Sequence, residues 1–188
     1  MIKTCKTALT AFALASLPLI AACGEQDETP AETATRDDGT LTLAAGLGAD
    51  EQLDTLRRAI EQSELSGVFE GAASYTMLAP RDAAFEALGD EGADLLREEQ
   101  RPLLVAILRD HLLPGHLTPE AIGEAIDQAG GPVTMTTLGQ TTVTFDRDGD
   151  RLSVATGDTS RAAFSGAAIA ANNGVVIPID AVLLPPKG

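Results

Sequence analysis

A change in residue type at Gly130-Gly131 divides this chain into two parts with different periodicities. Before it, apolar residues such as Leu53, Leu56 and Ile60 recur at spacings of three and four, which is typical of amphipathic helices. After it, Thr- and Val-rich segments separated by Gly, Asn and Asp are typical of strands joined by hairpin turns. Helices first and strands second, with one earlier apolar strand, predict an α+β fold.

Turn and cap signals refine this division into elements. Asp50, Asp82 and Thr118 are each placed to cap a helix, Pro102 suits the first turn of another, and Asn172-Asn173-Gly174 indicates a hairpin. Helices are expected over residues 51–65, from 82 through Leu88, and over 91–97, 102–112 and 118–126. Strands are expected over residues 75–79, 133–138, 141–145, 151–156, 167–171 and 175–184. One domain over residues 41–186 accommodates all of them.

The first 22 residues have the features of an export signal. Lys3 and Lys6 precede an apolar run over residues 8–20, which is shorter than the roughly 18–20 residues that span a bilayer. Residues 20–23 (IAAC) then resemble a lipobox, in which a branched apolar residue and two small residues precede the cysteine that receives a lipid. We predict that residues 1–22 are a lipoprotein signal peptide and that Cys23 is lipidated; the alternative is an ordinary signal peptide with an incidental cysteine.

Residues 23–40 are predicted to be the lipidated cysteine and a flexible acidic tether. Residues 24–40 contain no large apolar residue, so they cannot bury enough surface to offset the entropy of ordering. Gly24, rather than Asp, follows Cys23, which in a Gram-negative cell favours the outer membrane. The expected location is the cell envelope, with the domain facing the periplasm or the cell surface and held by several acyl chains.

Charge and cysteine content exclude several classes of function. The formal net charge is −15, and it becomes −17 when Lys3 and Lys6 leave with the signal peptide. This acidity argues against nucleic acids and anionic lipid headgroups as partners, because both are polyanions. Cys5 also leaves and Cys23 is acylated, so the mature domain would have no disulfide, cysteine nucleophile or cysteine metal site.

Three segments, in this order, resemble the signatures of the fasciclin (FAS1) domain. Residues 75–85 (YTMLAPRDAAF) are similar to the first signature, in which Ala-Pro follows a strand and precedes a helix that carries Phe. Residues 108–115 (LRDHLLPG) resemble the central Tyr-His motif with its Pro-Gly turn. Residues 173–185 (NGVVIPIDAVLLP) resemble the second signature, an Asn-Gly turn that leads into the last strand.

The resemblance implies a FAS1-like fold, with the helices of the first half packed on a wedge-shaped, mostly antiparallel sheet formed largely by the second half. It assigns structural roles to the motif residues, which are Thr76, Ala79, Pro80, Asp82, Phe85, His111, Asn173 and Gly174. Asp110 stands where the family usually has Tyr, and Ile177 where many members have His. Pro178 cannot donate to a sheet ladder, so the last strand is expected to lie at an edge or to carry a bulge there.

The same resemblance implies adhesion or matrix interaction rather than catalysis. We therefore expect a lipid-anchored envelope domain that contacts a protein or glycan partner and needs no cofactor. Because some relatives bind apolar pigments, a carrier of a small apolar ligand is the alternative.

Arg81, His111 and His116 are the candidate partner contacts. His111 lies on the apolar face of its predicted helix, where a buried histidine bonded to backbone or to the loop near Asp82 is the main expectation. His116 lies past the helix end and is expected to be exposed. The two histidines are separated by a Pro-Gly break, which is not a reliable zinc-ligand spacing.

The remaining signals for chemistry are weak. Asp146–Asp150 carries three carboxylates, but the twelfth position of a calcium loop would be Gly157, so a hairpin turn with Gly149 in the left-handed conformation is preferred over a weak calcium site. Ser165 would need a histidine base to act as a nucleophile. The sequence contains no G-x-S-x-G elbow, phosphate loop or dinucleotide fingerprint. We predict no catalytic residue and no metal site.

Overall fold

The computed structural model describes residues 35–37, 40–158 and 160–185. The predicted signal peptide, Cys23 and most of the predicted tether lie outside these residues. The described helices are α1 (Leu43–Gly48), α2 (Asp54–Gln62), α3 (Ser66–Glu70), α4 (Asp82–Glu86), α5 (Asp90–Leu95), α6 (Arg101–Asp110) and α7 (Pro119–Ala129). Short 3₁₀ turns precede α2 (Glu51–Leu53) and α6 (Glu98–Gln100).

The described strands are β1 (Thr35–Asp37), β2 (Tyr75–Pro80), β3 (Leu112–Pro114), β4 (Val133–Thr136), β5 (Thr142–Asp148), β6 (Arg151–Thr156), β7 (Ser160–Ala163), β8 (Ala168–Ala171) and β9 (Gly174–Ile179). Within the described residues they form a central sheet of order β1-β8-β9-β2-β3 and an outer sheet of order β4-β5-β6-β7. The pairs β2–β9 and β1–β8 are parallel and the others are antiparallel. The predicted α+β FAS1-like fold is confirmed, with the expected sheet divided in two.

The central sheet is buried on both faces, because side chains alternate between two hydrophobic clusters along each strand. On β2, Met77 and Ala79 face the helical cluster, whereas Leu78 faces the outer sheet. On β9, Val176 faces the helices and Val175 the outer sheet. A strand buried on both faces has a continuous apolar sequence, which explains the run YTMLA in the first half of the chain.

The helices cover the two faces of the central sheet unequally. Residues of α1 to α6 belong to the cluster on one face, whereas Ile122 and Ile126 of α7 join the outer sheet on the other face. The described residues of both clusters lie between Leu43 and Leu184. A chain that begins at residue 24 therefore contains every described residue of the core.

Several short elements differ from the sequence predictions. β1 pairs with β8, so the prediction of a free tether through residue 40 is wrong for Thr35–Asp37. The helix expected over 102–112 ends at Asp110, because Leu112 pairs with Met77 of β2 as the start of β3. The strand β7 and the helices α1 and α3 were not predicted.

Pro178 was expected to place the last strand at a sheet edge or to produce a bulge in it. β9 lies inside the central sheet rather than at an edge. Its registered pairing with β8 covers Gly174–Val176 only, and further along β9 the partner is the segment around Phe164, which bridges to Ile179. The amide of Ser165 donates to the Pro178 carbonyl at 2.8 Å. The β8 pairing has therefore already ended at Pro178, and the proline joins the neighbouring segment through its carbonyl alone, so the expected edge position of the last strand is wrong.

Candidate functional site

The three signature segments meet at the centre of the fold. The parallel register of β2 and β9 pairs Tyr75 with Gly174 and continues to Pro80 with Ile179, so the first and second signatures lie side by side. The central motif joins them because the Leu78 amide donates to the His111 carbonyl at 2.9 Å.

Asn173 bonds three backbone groups on two other segments from one buried side chain. Its Oδ1 accepts from the Leu43 amide at 2.6 Å, at the start of α1, and its Nδ2 donates to the carbonyls of Phe69 and Gly71 at 2.9 and 3.0 Å. The next residue, Gly174, packs so closely that a Cβ would overlap the Tyr75 carbonyl oxygen. Both residues therefore hold backbone segments together.

His111 is also a buried structural residue, with 1% of its surface exposed. The Leu183 amide donates to its Nε2 at 3.0 Å, so the ring proton sits on Nδ1, which donates to the Ile107 carbonyl at 2.8 Å. Desolvation by burial lowers the pKa of His111 from 6.5 to about 4, against smaller opposing effects of the Ile107 hydrogen bond and the nearby Asp110 charge. The predicted backbone bond is confirmed, but its partners lie away from Asp82. Its burial corrects the prediction that His111 contacts a partner.

Two further motif residues hold other segments in place. Thr76 is fully buried, and its hydroxyl donates to the Gly115 carbonyl and accepts from the Leu117 amide, each at 2.8 Å. The prediction that Asp82 caps its own helix is wrong, because α4 begins at Asp82 and has no side-chain cap. The Asp82 Oδ1 instead accepts from the Thr55 amide at 2.7 Å, which supplies the side-chain cap that α2 otherwise lacks. Ala79, Pro80 and Phe85 are buried beside them.

The two departures from the family pattern lie inside the fold. Asp110 is 7% exposed and accepts from the Thr137 hydroxyl at 3.1 Å. It packs where a Cβ on Gly139 would overlap its carboxylate. Ile177 is 1% exposed and belongs to the cluster between the two sheets. An apolar side chain suits that position because its surroundings are apolar.

Arg81 and His116 lie at opposite ends of β2. Arg81 follows the strand's last residue, whereas Gly115, beside His116, is bonded to the Ser74 carbonyl before its first. A strand of this length spans about 20 Å, so the two side chains do not form one site. His116 is exposed, as predicted.

Arg81 is partly buried between two clefts of about 400 and 490 Å³, which Ser165 also lines. Its Nε is buried and has no hydrogen-bond partner. The clefts are lined by four carboxylates, those of Asp50, Glu51, Asp82 and Asp180, and by one further cation, Arg36. These charges make the clefts unfavourable for an anion, so Arg81 alone does not define a site.

An apolar groove of about 370 Å³ lies between α5 and α6 and was not predicted from the sequence. Its lining is formed by Leu88, Glu91, Asp94, Leu95, Gln100, Leu103, Ile107, Leu184 and Pro185. Leu103 is 46% exposed and is the exposed large hydrophobic residue among those the structure describes. On α6, Leu104 and Leu108 point into the core at 1% and 2% exposure. The sequence feature that could have indicated this groove is that α6 has more apolar residues than one buried face requires.

The described residues offer little for catalysis or metal binding. β5 continues to Asp148, which pairs with Arg151, and Gly149 has φ +61°, so Asp146–Asp150 is a strand end and hairpin turn. No group of three His, Cys, Asp or Glu side chains in the described part of the chain could hold a metal ion. Both ring nitrogens of His111 are occupied, and His116 is at the far end of β2 from the Ser165 cleft. Neither histidine is therefore placed to activate Ser165.

The helices of residues 40–158 are each too short or too polar to cross a bilayer.

Comparison with known proteins agrees with this architecture. The profile of the Fasciclin domain family matches residues 51–185. The chain therefore belongs to the fasciclin domain family, as its three signature segments had indicated.

Individual relatives show how widely this domain is used. Protein sll1483 of Synechocystis sp. is 30% identical over 187 residues, which cover 96% of this chain and 94% of that protein. Transforming growth factor-beta-induced protein ig-h3 of Sus scrofa is 29% identical over 136 residues, or 72% of this chain and 18% of that protein. A solved FAS1 domain pair from the insect cell adhesion molecule Fasciclin I matches 69% of this chain and 45% of that chain, with a TM-score of 0.55 and 24% identity, which supports the fold.

Proposed function

We propose that this protein is a lipid-anchored, non-catalytic domain of the cell envelope that mediates adhesion or protein interaction. The observation that carries the proposal is the groove between α5 and α6, where Leu103 remains 46% exposed. Leu103 continues the apolar lining of this groove to the surface, and exposed apolar patches rimmed by polar residues are typical of interaction sites. Fasciclin I, whose FAS1 domains share this fold, is a cell adhesion molecule.

The composition of the groove favours a protein over a glycan as the partner. Its lining is mainly leucine and isoleucine side chains, and the chain has one Tyr and no Trp to stack on sugar rings. The acidic surface also disfavours nucleic acid and anionic lipid headgroups.

Site-specific photo-crosslinking in the host tests the interaction. A photoreactive residue at Leu103 is expected to capture an envelope protein, whereas the same residue at Glu124, exposed on α7, serves as the matched control. Identical sets of crosslinked proteins from the two positions would argue against the groove as a contact surface.

The lipid anchor is supported by residues 20–23 and is tested separately. Cells fed labelled palmitate are expected to label the wild-type chain and to leave a Cys23→Ala chain unlabelled. Fractionation of the same cells measures whether the wild-type chain follows outer-membrane markers. Label on the Cys23→Ala chain would overturn the assignment of the anchor to Cys23.

A carrier of a small apolar ligand is the second candidate, and the groove volume of about 370 Å³ supports it, since ligand pockets start at about 300 Å³. Native mass spectrometry of protein purified from its host is expected to show a bound mass if this function holds. A clean spectrum of the unliganded chain would count against it.

A further inference from the structure

The groove between α5 and α6 combines an apolar floor with an acidic rim. Leu95 and Ile107 are buried at its base, at 5% and 4% exposure, and Leu103 projects at its mouth. Glu91 and Asp94 belong to the lining and are exposed on α5.

The segment that contains α5 and the start of α6 has a higher proportion of acidic residues than the chain as a whole. Residues 86–101 contain six carboxylates and two arginines. Arg97 pairs with Asp94 at 3.0 Å, and Arg101 pairs with Glu64 at 3.1 Å. Within the described residues Glu91 has no such partner, so the rim carries negative charge that is not neutralised locally. A cation placed over the groove would be attracted, more strongly at low salt.

The C-terminal segment that lines the groove is held in place by His111. Leu184 and Pro185 belong to this lining, and the preceding residue, Leu183, donates its amide to His111 Nε2. His111 Nδ1 donates to the carbonyl of Ile107, which is itself part of the groove. His111 therefore ties the C-terminal segment to α6, and a preformed groove lowers the entropic cost of binding.

We propose that this groove binds a cationic amphipathic protein segment, with one or two apolar side chains seated beside Leu103 and flanking lysines or arginines over Glu91. This inference rests on the proposed interaction function and names its class of partner. An amphipathic helix is one segment that suits an apolar groove. Its apolar residues at i, i+3, i+4 and i+7 form one stripe, which the groove can bury.

Charge and shape disfavour the other occupants. A second copy of the chain from residue 24 to 188 would bring another net charge of −17 to an acidic rim, which opposes self-association. A small apolar ligand is bound tightly when most of its surface is enclosed, whereas this groove is open beside Leu103.

A designed peptide pair tests the proposal with the chain from residue 24 to 188. The probe is a 15-residue helix-forming peptide with leucines on one face and lysines elsewhere. Its control has the same composition, with the leucines distributed around the helix. Fluorescence anisotropy measures the affinity, and amide chemical shifts map the binding surface.

Three variants separate groove binding from general attraction between opposite charges. Leu103→Ser is expected to weaken binding of the amphipathic peptide about tenfold, which corresponds to about 1.4 kcal/mol. Glu91→Lys is expected to weaken it at least several-fold more than Glu124→Lys, which changes the net charge equally but lies on α7.

The proposal is overturned if the two peptides bind equally, if Leu103→Ser leaves the affinity unchanged, or if Glu91→Lys and Glu124→Lys have the same effect. Each of these results would mean that the acidic surface attracts cations without a defined site. The peptide assay needs no cellular partner, so its failure is distinct from a failure of the crosslinking experiment. An unchanged circular dichroism spectrum and unfolding midpoint establish that each variant is folded.

Discussion

The signature residues include polar side chains that are buried, whereas the α5–α6 groove includes an apolar side chain that is exposed. Thr76, His111 and Asn173 are polar and buried, and their side chains bond backbone groups 41, 72 and 130 residues away in sequence. The groove instead leaves the apolar Leu103 exposed. The motifs that identify the family therefore report how the fold is held together, whereas the surface suited to a partner lies mostly outside them.

Removal of the Asn173 side chain is expected to have the largest effect on stability. Asn173→Ala leaves one buried amide and two carbonyls without their partners, at a cost of about 4 kcal/mol in the free energy of unfolding. Asn172→Ala, at the exposed neighbouring position, is expected to change it by less than about 0.5 kcal/mol. Urea denaturation measures both. Equal effects would remove the distinction between signature residues and ordinary surface residues.

His111 is expected to make stability depend on pH. Its pKa is about 4 in the folded chain and 6.5 when unfolded, so the unfolded state takes up the proton first. The contribution is fully present above pH 6.5 and is lost as pH falls toward 4, by up to about 3 kcal/mol.

Urea denaturation between pH 7 and 4 measures this loss in the wild type and in His111→Gln, which cannot titrate. The carboxylates contribute to both chains, so their effect cancels in the difference. A parallel pH dependence in wild type and His111→Gln would show that burial of His111 has no energetic consequence.

Asp82 is expected to have a smaller effect, because its bond to the Thr55 amide is one capping interaction. Asp82→Ala should lower the free energy of unfolding by about 1 kcal/mol. Asp82→Asn keeps an acceptor oxygen and should retain most of this stability. If the two substitutions lower the free energy of unfolding equally, the hydrogen bond that caps α2 is not how Asp82 stabilises the fold.

Leu103 is expected to have the smallest effect on stability. Leu103→Ser should change the free energy of unfolding by about 0.5 kcal/mol or less, because its side chain is already 46% exposed. Leu104→Ala, at the adjacent buried position, should cost about 3 kcal/mol. Thermal or urea denaturation of the pair checks the contrast. A large loss in Leu103→Ser would make the residue part of the core rather than part of a binding surface.

The elements with strong local signals were predictable from the sequence. Thr118 caps α7 through the Ala121 amide, Asp50 caps the 3₁₀ turn before α2, and Asn172-Asn173 joins β8 to β9. Strands β1 and β3 were missed, because three residues are too few to show a period and their pairing is decided by distant strands.

The candidate site was less predictable for a geometric reason. The groove is built by α5, α6 and the C-terminal segment at Leu184, which are separated in sequence and approach only in the folded chain. His111 was singled out because it belongs to a signature, yet the same apolar helix face that drew attention to it places it in the core. From the sequence, the only indication that Leu103 belongs to a surface groove is that α6 has more apolar residues than its buried face needs.

The parallel pairing of β2 with β9 has a consequence for how the chain is made. Its register joins Tyr75 to Gly174, so the centre of the sheet needs a strand from the first half and the last strand of the domain. Contacts between residues so far apart in sequence form slowly, because the entropy of closing the loop between them is lost first. Synthesis proceeds from the N-terminus, so the central sheet cannot close until nearly the whole domain has emerged. Until the last strand has emerged, the nascent chain therefore exposes the apolar residues of β2, which the folded domain buries.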